Sequence, residues 1–227
     1  MPPTDVILAN ARIQGRHSLH PESPVTPHPL DTGKRAFARW TRALALVALG
    51  VGSSAITTLS QAQAATDDGW SAMRDGAIVL FRHANAPGGG DPPGFRLGDC
   101  TTQRNLDDAG RRQARRIGEA FRARGIRVGA VLSSQWCRTR ETAALAFGAA
   151  VQEDARFNSF FQTPEQSDPQ SAAARRVLTQ WQGPGVLVVS THQVNITALT
   201  GNVPASGEGV VLRAQGGELQ VLGRVQP

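Results

Sequence analysis

A chain of 227 residues carrying 40% apolar residues is long enough for one ordinary domain plus a targeting or tail segment, and can support a core. Its formal charge of +6 raises the question of nucleic acid. Lys34 is the only lysine, however, and no zinc-finger spacing, RNA-binding aromatic motif or lysine-rich arm accompanies the arginines, which argues against that partner.

Residues 1–33 contain proline and histidine without periodicity and read as a disordered extension, or as sequence upstream of a true translation start near Val25. Residues 34–64 read as a signal peptide. Lys34, Arg35, Arg39 and Arg42 form the basic region, residues 43–52 the apolar core, and Ala62-Gln63-Ala64 the small-x-small cleavage site. That apolar run is shorter than the roughly 20 residues of a membrane-spanning helix. The expectation is therefore an exported protein, periplasmic or secreted, with no stable membrane span once the signal is removed. From Ala65 onward the charge excess falls to +3, with 18 arginines against 15 acidic residues. Six of those arginines lie between Arg111 and Arg124, as on a solvated helix face.

The mature segment, 65–227, reads as one domain without internal repeats. Residues 77–81, Ala-Ile-Val-Leu-Phe, form a continuous apolar run and predict a buried strand. Residues 84–105 are a long Gly/Pro-rich connection of the kind that is usually functional. A helix is predicted over 107–124, with Gly125 as its stop and Ala114, Ile117, Ala120 and Phe121 as its buried stripe. A strand over 128–132 and a helix over 138–147 follow. Residues 151–169 look irregular; their Phe157, Phe160 and Phe161 read more naturally as packing than as a pocket wall. A helix over 171–181, a strand over 186–190, a helix over 194–199 and strands over 210–213 and 219–222 complete the chain. Alternating strands and helices predict an α/β fold of three layers, a mostly parallel sheet with helices on both faces. Cys100 and Cys137 make an even pair, which an exported chain can oxidise to a disulfide or keep as two buried thiols.

Three predicted strands end in residues of one chemical kind. The first runs into Arg82-His83, the second leads through Ser133-Ser134 to Arg138, and the third ends in Ser190-Thr191-His192. Parallel strands bring their carboxyl ends to one edge, where ligands bind in open α/β sheets. Two guanidiniums and two imidazoles at one point make an anion site, because the planar fork of arginine matches phosphate oxygens. A helix starting after His192 would add backbone N–H donors.

On these residues the chain resembles the histidine phosphatase superfamily, the phosphoglycerate mutase and acid phosphatase clan. The family's Arg-His-Gly reads here Arg82-His83-Ala84, with alanine for glycine. Its Ser-Ser-x-Leu-x-Arg segment reads Ser133-Ser134-Gln135-Trp136-Cys137-Arg138, followed by Thr142-Ala143, and its second histidine is His192. Asn105-Leu106-Asp107-Asp108-Ala109-Gly110 with Gln113-Ala114 resembles the family's helix start. The resemblance spans about residues 76–200. It implies a phosphoglycerate mutase-like fold, a phosphohistidine intermediate on His83, and a phosphoryl group held by Arg82, Arg138 and His192, with Arg104 as a further phosphate or substrate contact. No metal or organic cofactor is implied.

The expected activity is that of an exported, metal-independent acid phosphatase acting on a phosphorylated small molecule or glycan, with lipopolysaccharide heptose phosphatases as possible near relatives. A protein phosphohistidine phosphatase and a non-catalytic phosphate- or glycan-binding module are the alternatives. One departure separates this chain from its relatives. Where they place an acidic proton donor, Ser159 and Gln193 stand, and Asp91, Asp99 and Glu165 are the substitutes available in neighbouring loops. The sequence leaves the natural substrate and the oligomeric state open.

Overall fold

The computed structural model describes residues 69–227; the expected extension (1–33) and signal peptide (34–64) lie outside them. Ten regular elements follow: β1 (Ala77–Arg82), α1 (Asp108–Ala123), β2 (Val128–Ser133), α2 (Cys137–Phe147), β3 (Gln152–Glu153), α3 (Ser167–Thr179), β4 (Val186–Thr191), α4 (Gln193–Thr200), β5 (Gly209–Gln215) and β6 (Glu218–Val225). The strands form one six-stranded sheet in the order β3-β2-β4-β1-β5-β6. β1, β2, β3 and β4 are mutually parallel, whereas β5 runs antiparallel to both β1 and β6.

β1 and β4 lie inside the sheet and are buried on both faces, which is why they read as unbroken apolar runs rather than alternating ones. Their side chains divide between two cores. Val79, Phe81 and Val188 pack with Ile117 and Phe121 of α1 and Ala143 and Ala146 of α2. Ile78, Leu80, Leu187 and Val189 pack with Ala174 and Leu178 of α3 and Ile196 of α4. Helices therefore cover both faces, as the sequence predicts.

The register places the functional ends side by side. Arg82 pairs with Thr191, and Ser133 with Ser190. The ladder continues past the strands, with the His83 amide donating to the Thr191 carbonyl (2.9 Å) and the Ser134 amide to that of Ser190 (3.0 Å). α1 is seated against the loop that precedes it through Gly110, where a Cβ would lie 2.0 Å from the Asn85 carbonyl oxygen. Asp107 caps this helix by accepting from the Gly110 amide (2.6 Å).

Two expectations change over residues 151–171. The stretch expected to be irregular, 151–169, contains the two-residue edge strand β3. α3 begins at Ser167 instead of 171, because Pro169 sits in the first turn, where its missing N–H has no intrahelical partner to lose.

Cys100 and Cys137 are bonded, joining a 3-10 turn (Cys100–Thr102) to the first residue of α2 across 37 positions. Closing a loop of that length stabilises a fold by about 4 kcal/mol. Replacing both cysteines by serine should lower the melting temperature by roughly 8–16 °C in calorimetry. An unchanged melting temperature would mean that the bridge adds nothing to the folded state.

Candidate active site

The chain leaves β1 at Arg82 and turns His83 inward, where only 3% of its surface is exposed. His83 Nδ1 lies 2.8 Å from the Ala84 carbonyl. A carbonyl only accepts, so Nδ1 carries the proton and Nε2 keeps its lone pair. Burial, reinforced by the charges of Arg138, Arg104 and Arg82, pushes the imidazole from 6.5 down to about 3, against the opposing hydrogen bond to Ala84. His83 is therefore neutral and nucleophilic at any ordinary pH. Ala84 fills the expected glycine position without exposure, donating its amide to Thr142 Oγ1 (3.0 Å).

His192, the residue before α4, is equally buried. Its Nε2 shares a 2.8 Å hydrogen bond with Ser134 Oγ. Burial first, then Arg138, hold it well below the usual imidazole range. The two imidazoles stand 5.6 Å apart, edge to face.

Three guanidiniums surround these rings. Arg82 donates through Nη1 to the Pro204 carbonyl (3.0 Å), and Arg138 through Nη1 to Asp91 Oδ1 (2.9 Å). The Nε atoms of both are buried without a protein partner. Arg104 donates to the carbonyls of Gly90 and Ala86, so it braces the glycine-rich loop while facing the same pocket. The pocket itself is a cavity of about 190 Å³ lined by Arg82, His83, Arg104, Arg138 and His192, with Asp91 and Gly88 to Gly90 on one side. All five residues expected at the site are thus brought together. A volume this small suits a phosphoryl group and the nearest part of its ester, since drug-sized ligands take cavities of roughly 300 Å³ or more. Three larger grooves, of about 620, 610 and 410 Å³, contain no histidine. No group of three or more His, Cys, Asp or Glu suited to a metal ion occurs among the described residues.

Of the three substitute acids, only Asp91 reaches the pocket. Asp99 caps the 3-10 turn and is ion-paired with Arg96 (2.7 Å); its bonds to Thr101 and Arg96 pull its carboxyl down to about 2. Glu165 is exposed on the turn before α3. Ser159 and Gln193, where the resemblance led an acid to be expected, do line the cavity. Two contributions were not legible in the sequence. Ser134 anchors His192. Trp136 donates its indole N–H to Asp91 (3.0 Å) and packs edge-on against His192. Among the three phenylalanines, Phe157 and Phe160 are buried packing residues, whereas Phe161 is 60% exposed at the pocket wall.

Neutral buried histidines make the fold sensitive to acid. The folded-state value of His83 lies below its unfolded value, so its contribution is complete above pH 6.5 and is lost as pH falls toward about 3. For this one residue the loss between pH 7 and pH 5 is about 2 kcal/mol, and His192 acts in the same direction. Urea midpoints at the two pH values should therefore differ more for the native chain than for His83→Gln. Equal differences would contradict the buried, neutral assignment.

Comparison with known proteins bears on the same residues. The profile of the histidine phosphatase superfamily (branch 1) matches residues 78–162, which include Arg82, His83, Arg104 and Arg138. No curated protein matches significantly. Among solved structures, the candidate phosphohistidine phosphatase SixA from Agrobacterium tumefaciens is similar at 21% identity, covering 67% of this chain and 99% of its own, with a TM-score of 0.47. A mycobacterial glucosyl-3-phosphoglycerate phosphatase gives 15% identity, 64% and 96% coverage and a TM-score of 0.46. A phosphoserine phosphatase from Entamoeba histolytica gives 12%, 65% and 95%, and 0.44.

Proposed function

With residues 78–162 matching the profile of the histidine phosphatase superfamily (branch 1), we propose that the chain is an exported phosphomonoesterase. It hydrolyses a phosphorylated small molecule or glycan through a phosphohistidine on His83. The family match supports phosphatase chemistry.

The observation that carries the proposal is a neutral His83 with an available Nε2 beside three guanidiniums, in a pocket lined by a single carboxylate. Nε2 attacks phosphorus in line with the departing oxygen. Arg82, Arg138 and Arg104 stabilise the negative charge spread over the phosphoryl oxygens, the part that metal ions play in other phosphoryl-transfer enzymes. His192, fixed by Ser134, lies against the same group and packs beside His83. Water then releases phosphate and restores His83. Export is favoured by the signal-like residues 34–64 and by the Cys100–Cys137 bond, since disulfides persist in oxidising compartments. Phe161 at the mouth offers an apolar face to a ring-bearing alcohol.

Incubating the purified chain with an aryl phosphate and a sugar phosphate in excess chelator tests this directly. Release of phosphate from both is expected. No release from either would overturn the enzymatic reading and leave a phosphate-binding module. The Ser159 and Gln193 positions favour one second reading, a phosphohistidine phosphatase, whose P–N substrate makes less demand on a carboxyl donor. Turnover of phosphoramidate alone would select it.

A further inference from the structure

Granting that reading, we infer that Asp91 is the proton donor to the leaving group and is armed by the incoming phosphate. Among the described residues that line the pocket it is the only carboxylate. Its side chain is 5% exposed. Oδ1 accepts from Arg138 Nη1 (2.9 Å) and Oδ2 from Trp136 Nε1 (3.0 Å), while its backbone carbonyl accepts from Gln162 (3.2 Å).

The loop that carries Asp91 is fastened to the start of α2 at several further points. Cys100 is bonded to Cys137, Gln103 Oε1 accepts from the Cys137 amide (2.9 Å), and Phe95 stacks on Trp136 at 5.1 Å. The carboxyl group is thus held in place as firmly as the arginine it faces.

A carboxylate in an anion pocket opposes the ligand unless it takes up a proton. Arg138 is a guanidinium that the phosphate needs, with a buried, unpartnered Nε of its own. A phosphate dianion on Arg138 shares the positive charge that stabilises Asp91 and adds negative charge beside it, and both effects favour the protonated carboxyl. Substrate binding therefore loads the acid that the reaction requires.

As the bond from His83 Nε2 to phosphorus forms, the phosphorus–oxygen bond to the alcohol breaks. The departing oxygen takes the Asp91 proton, and the alcohol leaves neutral. The carboxylate, paired again with Arg138, then accepts a proton from the water whose oxygen attacks phosphorus. The nitrogen–phosphorus electron pair returns to His83, and phosphate departs.

The test compares p-nitrophenyl phosphate, whose leaving group needs no proton, with glycerol 2-phosphate, whose alkoxide does. In Asp91→Asn, kcat/KM for the glycerol ester should fall by about 10²–10⁴-fold, and that for the nitrophenyl ester by less than about tenfold. Equal losses on both esters would assign Asp91 to positioning Arg138 and overturn the inference. If Asp91→Asn does not fold, Asp91→Glu decides: it should retain more glycerol-ester than nitrophenyl-ester activity relative to Asp91→Ser, and a constant ratio would overturn the inference. A native enzyme inactive on both esters would instead sink the phosphatase reading itself.

Discussion

His83→Gln should lower turnover of an aryl phosphate by about 10⁴–10⁶-fold, the scale at which loss of a covalent nucleophile is felt. Glutamine matches the bulk of the imidazole and can still donate to the Ala84 carbonyl, but its amide nitrogen has no lone pair to offer phosphorus. Because His83 is neutral in the native protein, the replacement changes no charge in the pocket. Arg82, Arg104, Arg138 and His192 remain to hold the anion. Inorganic phosphate, measured by calorimetry, should therefore bind the variant within about tenfold of the native chain. Turnover that survives the substitution would place the nucleophile elsewhere. Loss of phosphate binding together with turnover would show that the substitution damaged the pocket rather than the chemistry.

Arg138→Ala should damage stability and activity together. It removes one phosphoryl clamp, a loss of about 10²–10³-fold in rate by analogy with a deleted oxyanion donor. It also removes the ion-pair partner of Asp91, whose side chain is 5% exposed and would keep only the Trp136 indole as a hydrogen-bond donor. Breaking a buried ion pair from one side costs about 3–5 kcal/mol, since the remaining charge is left without compensation. The decisive comparison is the cycle with Asp91→Ala. The double variant should be more stable than Arg138→Ala alone, because no charge is then stranded. Chemical denaturation of the three variants reads this directly, and strictly additive losses would contradict it.

Much of this architecture was legible because the buried strands are apolar throughout. β1, β2 and β4 lie within a residue of their predicted ends, and the parallel register then forces Arg82-His83, Ser133-Ser134 and Thr191-His192 onto one edge. Short or edge elements were not legible. β3 is two exposed residues whose pairing with β2 leaves no pattern in the sequence, and the start of α3 was hidden by a proline usually read as a break. Within the site, the strand-end residues could be assigned from spacing, but their partners could not. Arg104 braces loop carbonyls instead of pairing with an acid. The Asp91–Arg138 pair joins positions 47 apart through a loop whose path depends on tertiary contacts. Asp99 and Glu165 looked equivalent to Asp91 in sequence, and only the folded loop separates them.

The central claim is that His83 Nε2 becomes covalently phosphorylated. Rapid acid-free quenching of the enzyme with a radiolabelled aryl phosphate, followed by peptide mapping, tests it most directly. The account predicts a label on the peptide containing His83 that is stable to alkali, labile to acid and absent from His83→Gln. Turnover with no labelled peptide under pre-steady-state conditions, or a label on any other residue, would contradict it.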